Sequence, residues 1–141
     1  MLLQEHQIQE CIELLKEAQK EYSEVPDIYE PKVRKWLEAL IKSPKAYVGV
    51  NKDVSAIIIL MVTEDFFSLK KCIKDLVFYS KTPGSGFRLL KEAKTWVDGW
   101  GDSVYNAYLG TSTSNDKIDD MYERWGMKKI GSQFVFERGE L

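Results

Sequence analysis

Hydrophobic and polar positions along this chain follow two periods, and each period predicts one kind of element. Apolar side chains recur at helical spacing in four segments, residues 7–22, 31–42, 87–98 and 116–125. Runs rich in β-branched and aromatic residues predict strands over residues 46–50, 55–63, 73–80, 104–109 and 130–137. The unbroken run Ile57-Ile58-Ile59 is typical of a central strand covered on both faces. The order of elements, ααβββαβαβ, predicts an α/β fold with a mixed sheet.

Residues that cap or break helices set the predicted boundaries. Asp27 is predicted to cap the second helix, with Pro31 in its first turn, and Gly99 is predicted to end the third helix. Linkers, repeats and low-complexity tracts are absent from the sequence. The 141 residues are therefore predicted to form a single domain, 1–141, large enough to bury its own core.

Composition excludes several classes of protein. The net charge is −2, with 20 basic and 22 acidic residues well mixed, so the charge pattern disfavours a nucleic-acid partner. One histidine and two scattered cysteines, Cys11 and Cys72, predict neither a metal site nor a disulfide framework. The sequence has no apolar stretch long enough for a membrane span and no basic segment of a signal peptide at its start. These features predict a cytoplasmic protein without a membrane partner.

The most informative segment is Lys81-Thr82-Pro83-Gly84-Ser85-Gly86-Phe87, a glycine-rich turn between a predicted strand and a predicted helix. Glycines allow backbone conformations and close approaches that a Cβ forbids. The unpaired N–H groups of the first helical turn then face outward and favour an anion such as a pyrophosphate. Taken alone, a Gly-x-Gly pair also fits an ordinary turn.

A second segment further along the chain strengthens the interpretation of the glycine-rich turn as a pyrophosphate-binding motif. An Asn that opens a helix, a Tyr seven residues later and a closing Gly-apolar pair resemble the signature of the GCN5-related N-acetyltransferases; here they are Asn115, Tyr122 and Gly126-Met127. The glycine-rich turn is similar to that family's (Gln/Arg)-x-x-Gly-x-(Gly/Ala) pyrophosphate motif, with Lys81 where Gln or Arg is usual. The two motifs cover residues 73–137, and the chain looks most like the small, phage-type members of the family.

The resemblance implies a mixed, mostly antiparallel central sheet flanked by helices. The family fold begins with a strand, for which only residues 1–3 are available here, so this strand is expected to be short or missing. The family usually ends in a hairpin of two strands, and this chain has room for one. The fourth and fifth strands of the family splay apart, and acyl-coenzyme A lies between them.

The resemblance also implies acetyl-CoA as the co-substrate, with no metal, and assigns residues to it. Backbone groups of the predicted strand before the glycine-rich turn would bind the pantetheine arm; they belong to Val77, Phe78 and Tyr79. The remaining cofactor-binding positions surround the phosphates or open the last helix; they are Lys81, Gly84, Ser85, Gly86, Phe87, Arg88 and Asn115. Lys81 and Arg88 fit solvated surface charges as well, and an Asn at position 115 also fits a simple helix cap.

The catalytic positions are fewer. Tyr122 would protonate the leaving thiolate as a general acid, although the apolar stripe of the last helix, to which it belongs, is equally typical of core. Asp75 is the candidate general base. The alternatives are ordered water or one of three other carboxylates, Glu24, Glu64 and Asp65.

The resemblance implies an N-acetyltransferase that transfers an acetyl group from acetyl-CoA to a primary amine. Direct attack is expected because the sequence contains nothing like an activated Cys-His nucleophile. The alternative is a catalytically reduced protein of the same fold that acts through a protein partner. A third interpretation, acyl or glycyl transfer to a nucleic-acid base, is disfavoured by the charge balance. The acceptor is expected to be a small-molecule or peptide amine, and exposed sheet edges favour a homodimer.

Overall fold

The computed structural model describes residues 1–21, 26–82, 84–110 and 116–131, which belong to two compact units. The first unit, Met1–Leu109, contains three α-helices and four strands. They are α1 (Ile8–Lys20), α2 (Glu30–Lys42), β1 (Ala46–Val50), β2 (Ala56–Glu64), β3 (Lys71–Ser80), α3 (Ser85–Asp98) and β4 (Ala107–Tyr108). Short 3₁₀-helices, Glu5–Gln7 and Gly101–Ser103, precede α1 and β4. The second unit, Gly110–Leu141, contains α4 (Asp116–Arg124).

The strands form one mixed sheet in the order β1-β2-β3-β4. The pairs β1-β2 and β2-β3 are antiparallel, whereas β3 and β4 run parallel and pair at two positions, Ile73 with Ala107 and Lys74 with Tyr108. The isoleucines of β2 have no exposed surface, which confirms the predicted central strand. The predicted fold class, a mostly antiparallel mixed sheet flanked by helices, is therefore confirmed.

Helices cover both faces of this sheet. One side chain in two along a strand points to each face, so alternate residues of β2 enter different layers. Ile57 and Ile59 join the core made with α1 and α2, which includes the fully buried Ile12 and Leu37. The opposite face receives α3, which contacts β1, β2 and β3. Each fully buried aliphatic side chain stabilises this arrangement by ~1.5–3 kcal/mol.

A β-bulge interrupts the pairing of β2 with β3. Ile59 lies opposite Val77, and the next residue, Leu60, lies opposite Asp75, so Leu76 is an extra residue on β3. A bulge bends its strand and changes the direction of neighbouring side chains. The bulge therefore bends β3 next to the candidate base, Asp75.

Several predicted boundaries are corrected by the structure. The residue that caps α2 is Tyr29 rather than Asp27, while Pro31 lies in the first turn as predicted. The third helix begins at Ser85 instead of residue 87, because the left-handed backbone of Gly84 (φ +85°) turns the chain directly into it. Gly99 ends that helix as its C-cap, as predicted, although with ordinary right-handed angles. The first helix ends at Lys20, and residues 22–25 lie outside the described part of the chain.

The strands near the two chain ends also differ from their predicted lengths. The strand predicted over residues 104–109 contains two residues, since a 3₁₀-helix with a left-handed Gly101 (φ +54°) precedes it. The first strand is reduced, as predicted, to one antiparallel bridge between Leu2 and Gly49. Residues 130 and 131 of the predicted last strand are not in a strand, and its remaining residues lie outside the described ones. Among the described helices, none combines the length and apolar character needed to cross a bilayer.

Candidate functional site

The glycine-rich turn lies directly after β3 and leads into α3. The first N–H groups of the helix have no good acceptor within it: Ser85 donates to the Thr82 carbonyl over 3.4 Å, and Phe87 donates to the Gly84 carbonyl over 3.3 Å. The N–H groups of Gly84 and Gly86 have no acceptor among the described residues. Helix N-termini with such N–H groups favour anions, because the partial positive charge of the helix dipole adds to the hydrogen bonds.

The two glycines have different tasks. Gly84 needs its left-handed backbone, while a Cβ added there would meet no atom of the described residues within 4 Å. A Cβ on Gly86 would lie 3.1 Å from Cε1 of Phe78 and 3.2 Å from Cβ of Ser80. Gly86 therefore lets α3 approach β3 closely, a packing task that the sequence motif did not indicate.

The two candidate cations lie beside this turn with weak partners. Lys81 forms an ion pair with Glu17 of α1, with Nζ 3.2 Å from Oε1. The Nε atom of Arg88 is 3.9 Å from Oε1 of Glu92, and its side chain is 88% exposed. Surface ion pairs of this kind contribute little to stability, so both cations can exchange a carboxylate for a phosphate.

The strand β3 places the pantetheine-binding candidates between the bulge and the glycine-rich turn. Val77, Phe78 and Tyr79 are half-buried and lie opposite the isoleucines of β2. The pairing of β3 with β4 ends at Lys74, before these three residues. The Tyr79 hydroxyl donates to Oε1 of Glu21 over 3.0 Å. The structure thus brings these three residues, Gly84 and Gly86 to one end of the sheet.

The candidate bases lie at different distances from the glycine-rich turn. Asp75 is half-buried beside the bulge, on the same strand as the pantetheine-binding candidates. Glu64 ends β2 and Asp65 follows it, so both lie beside the start of β3, roughly 30 Å from the glycine-rich turn at ~3.3 Å per residue. The remaining alternative, Glu24, lies outside the described residues.

Hydrogen bonds make Asp65 a weak candidate. Its carboxylate accepts from the Tyr105 hydroxyl over 3.0 Å and from the Phe67 N–H over 3.0 Å. The Tyr105 hydroxyl, followed by the Phe67 N–H, holds the pKa of this carboxyl below its ordinary value. A general base near neutral pH needs a raised pKa, so Asp65 is poorly suited to the task.

Tyr122, the candidate acid, lies on α4 in the second unit. Its side chain is buried, with 7% of its surface exposed. The helix is closed by Gly126 (φ +81°), whose N–H donates to Glu123 while the Met127 N–H donates to the Tyr122 carbonyl. These two bonds form a Schellman motif, which explains the closing Gly-apolar pair locally. Asn115, the predicted first residue of the motif, lies outside the described residues.

Sequence reasoning missed the polar residues that hold the glycine-rich turn from outside. Ser55, in the turn between β1 and β2, accepts hydrogen bonds from the Lys81 N–H and the Thr82 hydroxyl. The run Asn51-Lys52-Asp53-Val54-Ser55 contains typical turn residues, which indicated a hairpin. Nothing in that run indicated a partner more than twenty positions away.

Among models of protein families, curated proteins and solved structures, only solved structures are similar to this chain. The sequence matches no model of a protein family and no curated protein. The structure is similar to an aminoglycoside acetyltransferase from an uncultured soil metagenomic sample, solved with trehalose, with 17% identity, coverage of 95% of this chain and 91% of that chain, and a TM-score of 0.68. A protein from Agrobacterium tumefaciens that is named as an acetyltransferase has 14% identity, 96% coverage of both chains and a TM-score of 0.68.

A third solved structure is similar over nearly its whole length. The protein from Pyrococcus furiosus, also named as an acetyl transferase, has 19% identity, 92% coverage of both chains and a TM-score of 0.63. The likeness covers nearly the whole of each chain, although few residues are shared. The chain therefore has the fold of the GCN5-related N-acetyltransferases, as its two motifs predicted.

Proposed function

We propose that this chain is an N-acetyltransferase that uses acetyl-CoA to acetylate a primary amine. The observation that carries the proposal is the glycine-rich turn at the end of β3, where the left-handed backbone of Gly84 leads directly into the first turn of α3. The acetyltransferase fold supports it. A pyrophosphate fits this turn, since a side chain on Gly84 would meet open space. The ammonium group of Lys81 lies beside the carboxylate of Glu17, so the negative charge of Glu17 is balanced where the pyrophosphate would bind.

Each part of acetyl-CoA has assigned residues in this proposal. The N–H groups at the start of α3, from Gly84 to Phe87, bind the pyrophosphate, and Lys81 and Arg88 add charge-assisted contacts. The backbone of Val77, Phe78 and Tyr79 binds the amide-rich pantetheine arm. Binding the thioester beside the acceptor amine lowers the barrier through proximity and orientation.

The transfer is proposed as a direct attack. The amine nitrogen attacks the thioester carbon, the C–S bond breaks, and the acetyl group moves to nitrogen. Asp75, or a water molecule, takes the proton that the amine loses, and Tyr122 gives its phenolic proton to the leaving thiolate. We place Asp75 before Asp65, because hydrogen bonds already occupy the Asp65 carboxylate and lower its pKa.

The acceptor class is proposed from one of the similar structures. The soil aminoglycoside acetyltransferase has also been solved with sisomicin, and that structure has 16% identity and a TM-score of 0.66 to this chain. It supports a small-molecule amine as the first acceptor to test. A peptide amine is the second acceptor class.

The first experiment is acetyl-CoA binding by calorimetry together with a thermal shift. A ligand that binds only the native state adds ~2.7 kcal/mol of stability at a hundredfold excess over its Kd. We expect a clear rise in Tm with acetyl-CoA, and a smaller one with S-acetylpantetheine, which lacks the pyrophosphate. An unchanged Tm at millimolar acetyl-CoA would remove the cofactor claim.

The second experiment separates an enzyme from a catalytically reduced binding protein. Tyr122→Phe keeps the ring and removes the proton donor, so turnover should fall by ~10²–10⁴ while acetyl-CoA affinity stays nearly constant. Tyr47→Phe is the matched control, because Tyr47 is a similarly buried tyrosine, packed against Trp96. Equal turnover in both variants would make Tyr122 a core residue. A wild type that binds acetyl-CoA but acetylates no amine in a broad panel would favour the binding-protein alternative.

A further inference from the structure

Ser55, in the turn between β1 and β2, forms hydrogen bonds with two residues of the glycine-rich turn. Its carbonyl oxygen accepts from the Lys81 N–H over 2.8 Å, and its hydroxyl accepts from the Thr82 hydroxyl over 3.1 Å. Lys81 and Thr82 are the first two residues after β3. Ser55 therefore fixes both the backbone and a side chain at the point where the chain leaves the sheet.

Ser55 is itself held in one orientation. The Asn51 side chain accepts from the N–H groups of Ser55 and Ala56, each over 2.8 Å, and donates to the Ser55 hydroxyl over 2.6 Å. The Ser55 hydroxyl donates to Oδ1 of Asp53 over 2.7 Å. With one hydrogen bond donated and two accepted, the hydroxyl uses its full capacity and has no freedom to rotate.

The neighbour of Ser55 has an uncommon backbone conformation. Val54 has φ +53°, a left-handed angle that is rare for a β-branched residue, and its side chain is buried. Such angles persist only where the surroundings determine them, and they occur preferentially at functional sites. The turn that presents Ser55 is therefore specified by its contacts rather than by backbone preference.

The hydrogen bonds continue from Thr82 to the start of α3. The Thr82 carbonyl accepts from the Ser80 hydroxyl over 2.7 Å and from the Ser85 hydroxyl over 2.8 Å. Ser85 is the first residue of α3 and lies between the two glycines. A continuous set of contacts thus joins Ser55 to the N–H groups assigned to the pyrophosphate.

We infer that Ser55 is a positioning residue, whose hydroxyl and carbonyl hold the glycine-rich turn in the conformation that binds the pyrophosphate of acyl-CoA. The inference rests on the proposed function, and Ser55 acts through Lys81 and Thr82 without touching the substrate. A turn that already has the bound conformation loses less freedom on binding. If only a fraction of molecules has that conformation, the apparent Kd rises in inverse proportion to the fraction.

The test uses three variants that address the contact between the Ser55 and Thr82 hydroxyls; Ser55→Ala also removes the hydrogen bonds of the Ser55 hydroxyl with Asn51 and Asp53, which Thr82→Val leaves in place. Ser55→Ala and Thr82→Val each remove the contact between the two hydroxyls, whereas Thr82→Ser retains it. Since a neutral hydrogen bond accounts for a factor of ~3–10 in an equilibrium constant, we expect the Kd for acetyl-CoA to rise ~3–10-fold in the first two variants. Thr82→Ser should keep the wild-type Kd. The KM for acetyl-CoA should rise in parallel while kcat at saturation stays unchanged.

A matched control separates positioning from ordinary stability. Ser43→Ala removes a serine hydroxyl in another turn, where it accepts from the Lys45 N–H over 3.3 Å. This variant should leave the Kd unchanged. A lower Tm in Ser55→Ala with a wild-type Kd would overturn the inference, because the hydroxyl would then support only the fold.

A measurement without ligand keeps the inference distinct from the proposed function. Backbone order parameters of Gly84, Ser85 and Gly86 from ¹⁵N relaxation should fall in Ser55→Ala from the rigid value of ~0.85 toward ~0.6. They should not change in Ser43→Ala. Order parameters unchanged by Ser55→Ala overturn the inference whatever the ligand does. A wild type with a rigid turn that binds no acetyl-CoA would contradict the proposed function instead.

Discussion

The turns at the two ends of β3 are built in different ways. The turn before β3 is held mostly by its own residues, since the Asp65 N–H donates to the Lys70 carbonyl over 2.7 Å and the Asp65 side chain accepts from the Phe67 N–H. The Tyr105 hydroxyl adds one hydrogen bond to Asp65 from outside the turn. The turn after β3 is held from outside by Ser55, and Gly86 brings α3 against the strand. A turn fixed by its own residues tolerates changes nearby, whereas one fixed by distant partners does not.

The side chains of the two turns show the same contrast. Phe66, Phe67 and Leu69, in the turn before β3, are between 87% and 91% exposed and therefore contribute little to the core. In the turn after β3, Gly86 is buried and the hydroxyls of Ser80 and Ser85 lie 2.6 Å apart. The comparison predicts that substitutions after β3 have large effects and that those before β3 have small ones.

The largest effect is expected for Gly86→Val. The added side chain would meet Phe78 and Ser80 at distances that real Cβ atoms seldom show, and overpacking of this kind costs ~1–3 kcal/mol. Urea denaturation should show a lower free energy of unfolding by that amount. Gly131→Val is the control and should change little, because Gly131 is exposed and a Cβ there would meet no atom of the described part of the chain within 4 Å. A loss as small as the control's would mean that α3 is not packed tightly on β3.

Gly84→Ala should have the next largest effect. A Cβ at Gly84 meets no neighbour, so the expected loss of ~1–2 kcal/mol comes from the left-handed backbone alone. Gly84→Asn should lose less, because Asn tolerates this conformation better. Thermal and urea unfolding of the two variants measure the difference. Equal losses for Ala and Asn would point to a steric cause.

A smaller effect, dependent on pH, is expected for Tyr105→Phe, which removes a hydrogen bond from the segment before β4 to Asp65 in the turn before β3. The Tyr105 hydroxyl lowers the pKa of Asp65, so its contribution to stability is present above the ordinary Asp pKa of ~3.9. That contribution is lost as the pH falls through the lower pKa of the folded protein. The variant should therefore be slightly less stable at pH 7 and equally stable in strong acid, by urea titration across this range. A difference that persists in acid would assign the effect to packing.

The smallest effect is expected for Phe67→Ser. A side chain that is 91% exposed makes few contacts, so the free energy of unfolding should change by less than ~0.5 kcal/mol. The Kd for acetyl-CoA should also stay constant. Leu69→Ser serves as a second variant of the same turn. A loss of several times this size in either variant would show that another surface covers the turn.

Predictions from the sequence succeeded where the cause is local. The strand over residues 46–50 was predicted with its observed bounds, because a short apolar run between Pro44 and the Asn51-Lys52-Asp53 turn defines it. Gly126 was predicted to close the last helix, and a Schellman motif between neighbouring residues is the reason. The predicted N-cap at Asp27 was wrong, because several residues before Pro31 can serve as caps and the sequence does not rank them.

The errors and omissions have non-local causes. The packing role of Gly86 depends on Phe78 of the neighbouring strand, and the role of Ser55 depends on Thr82, 27 positions later. The strand predicted over residues 104–109 was too long. Its composition of β-branched and aromatic residues indicates a preference for strands, but it does not show how many residues pair with the neighbouring strand β3. The bulge at Leu76 gave no signal either, since no special residue type marks it.

The two-residue pairing of β4 has a consequence for the order of folding. β3 joins β2 through a short turn, whereas its parallel pairing with β4 closes a loop that contains the whole of α3. Closing the longer loop loses more chain entropy, and two residue pairs recover little of it. Pulse-labelled hydrogen exchange should therefore protect the Ile58 amide before that of Ile73, which donates to Asn106. In the folded protein the same Ile73 amide should report an opening of lower free energy, so this edge of the sheet is the last part to form and the first to separate.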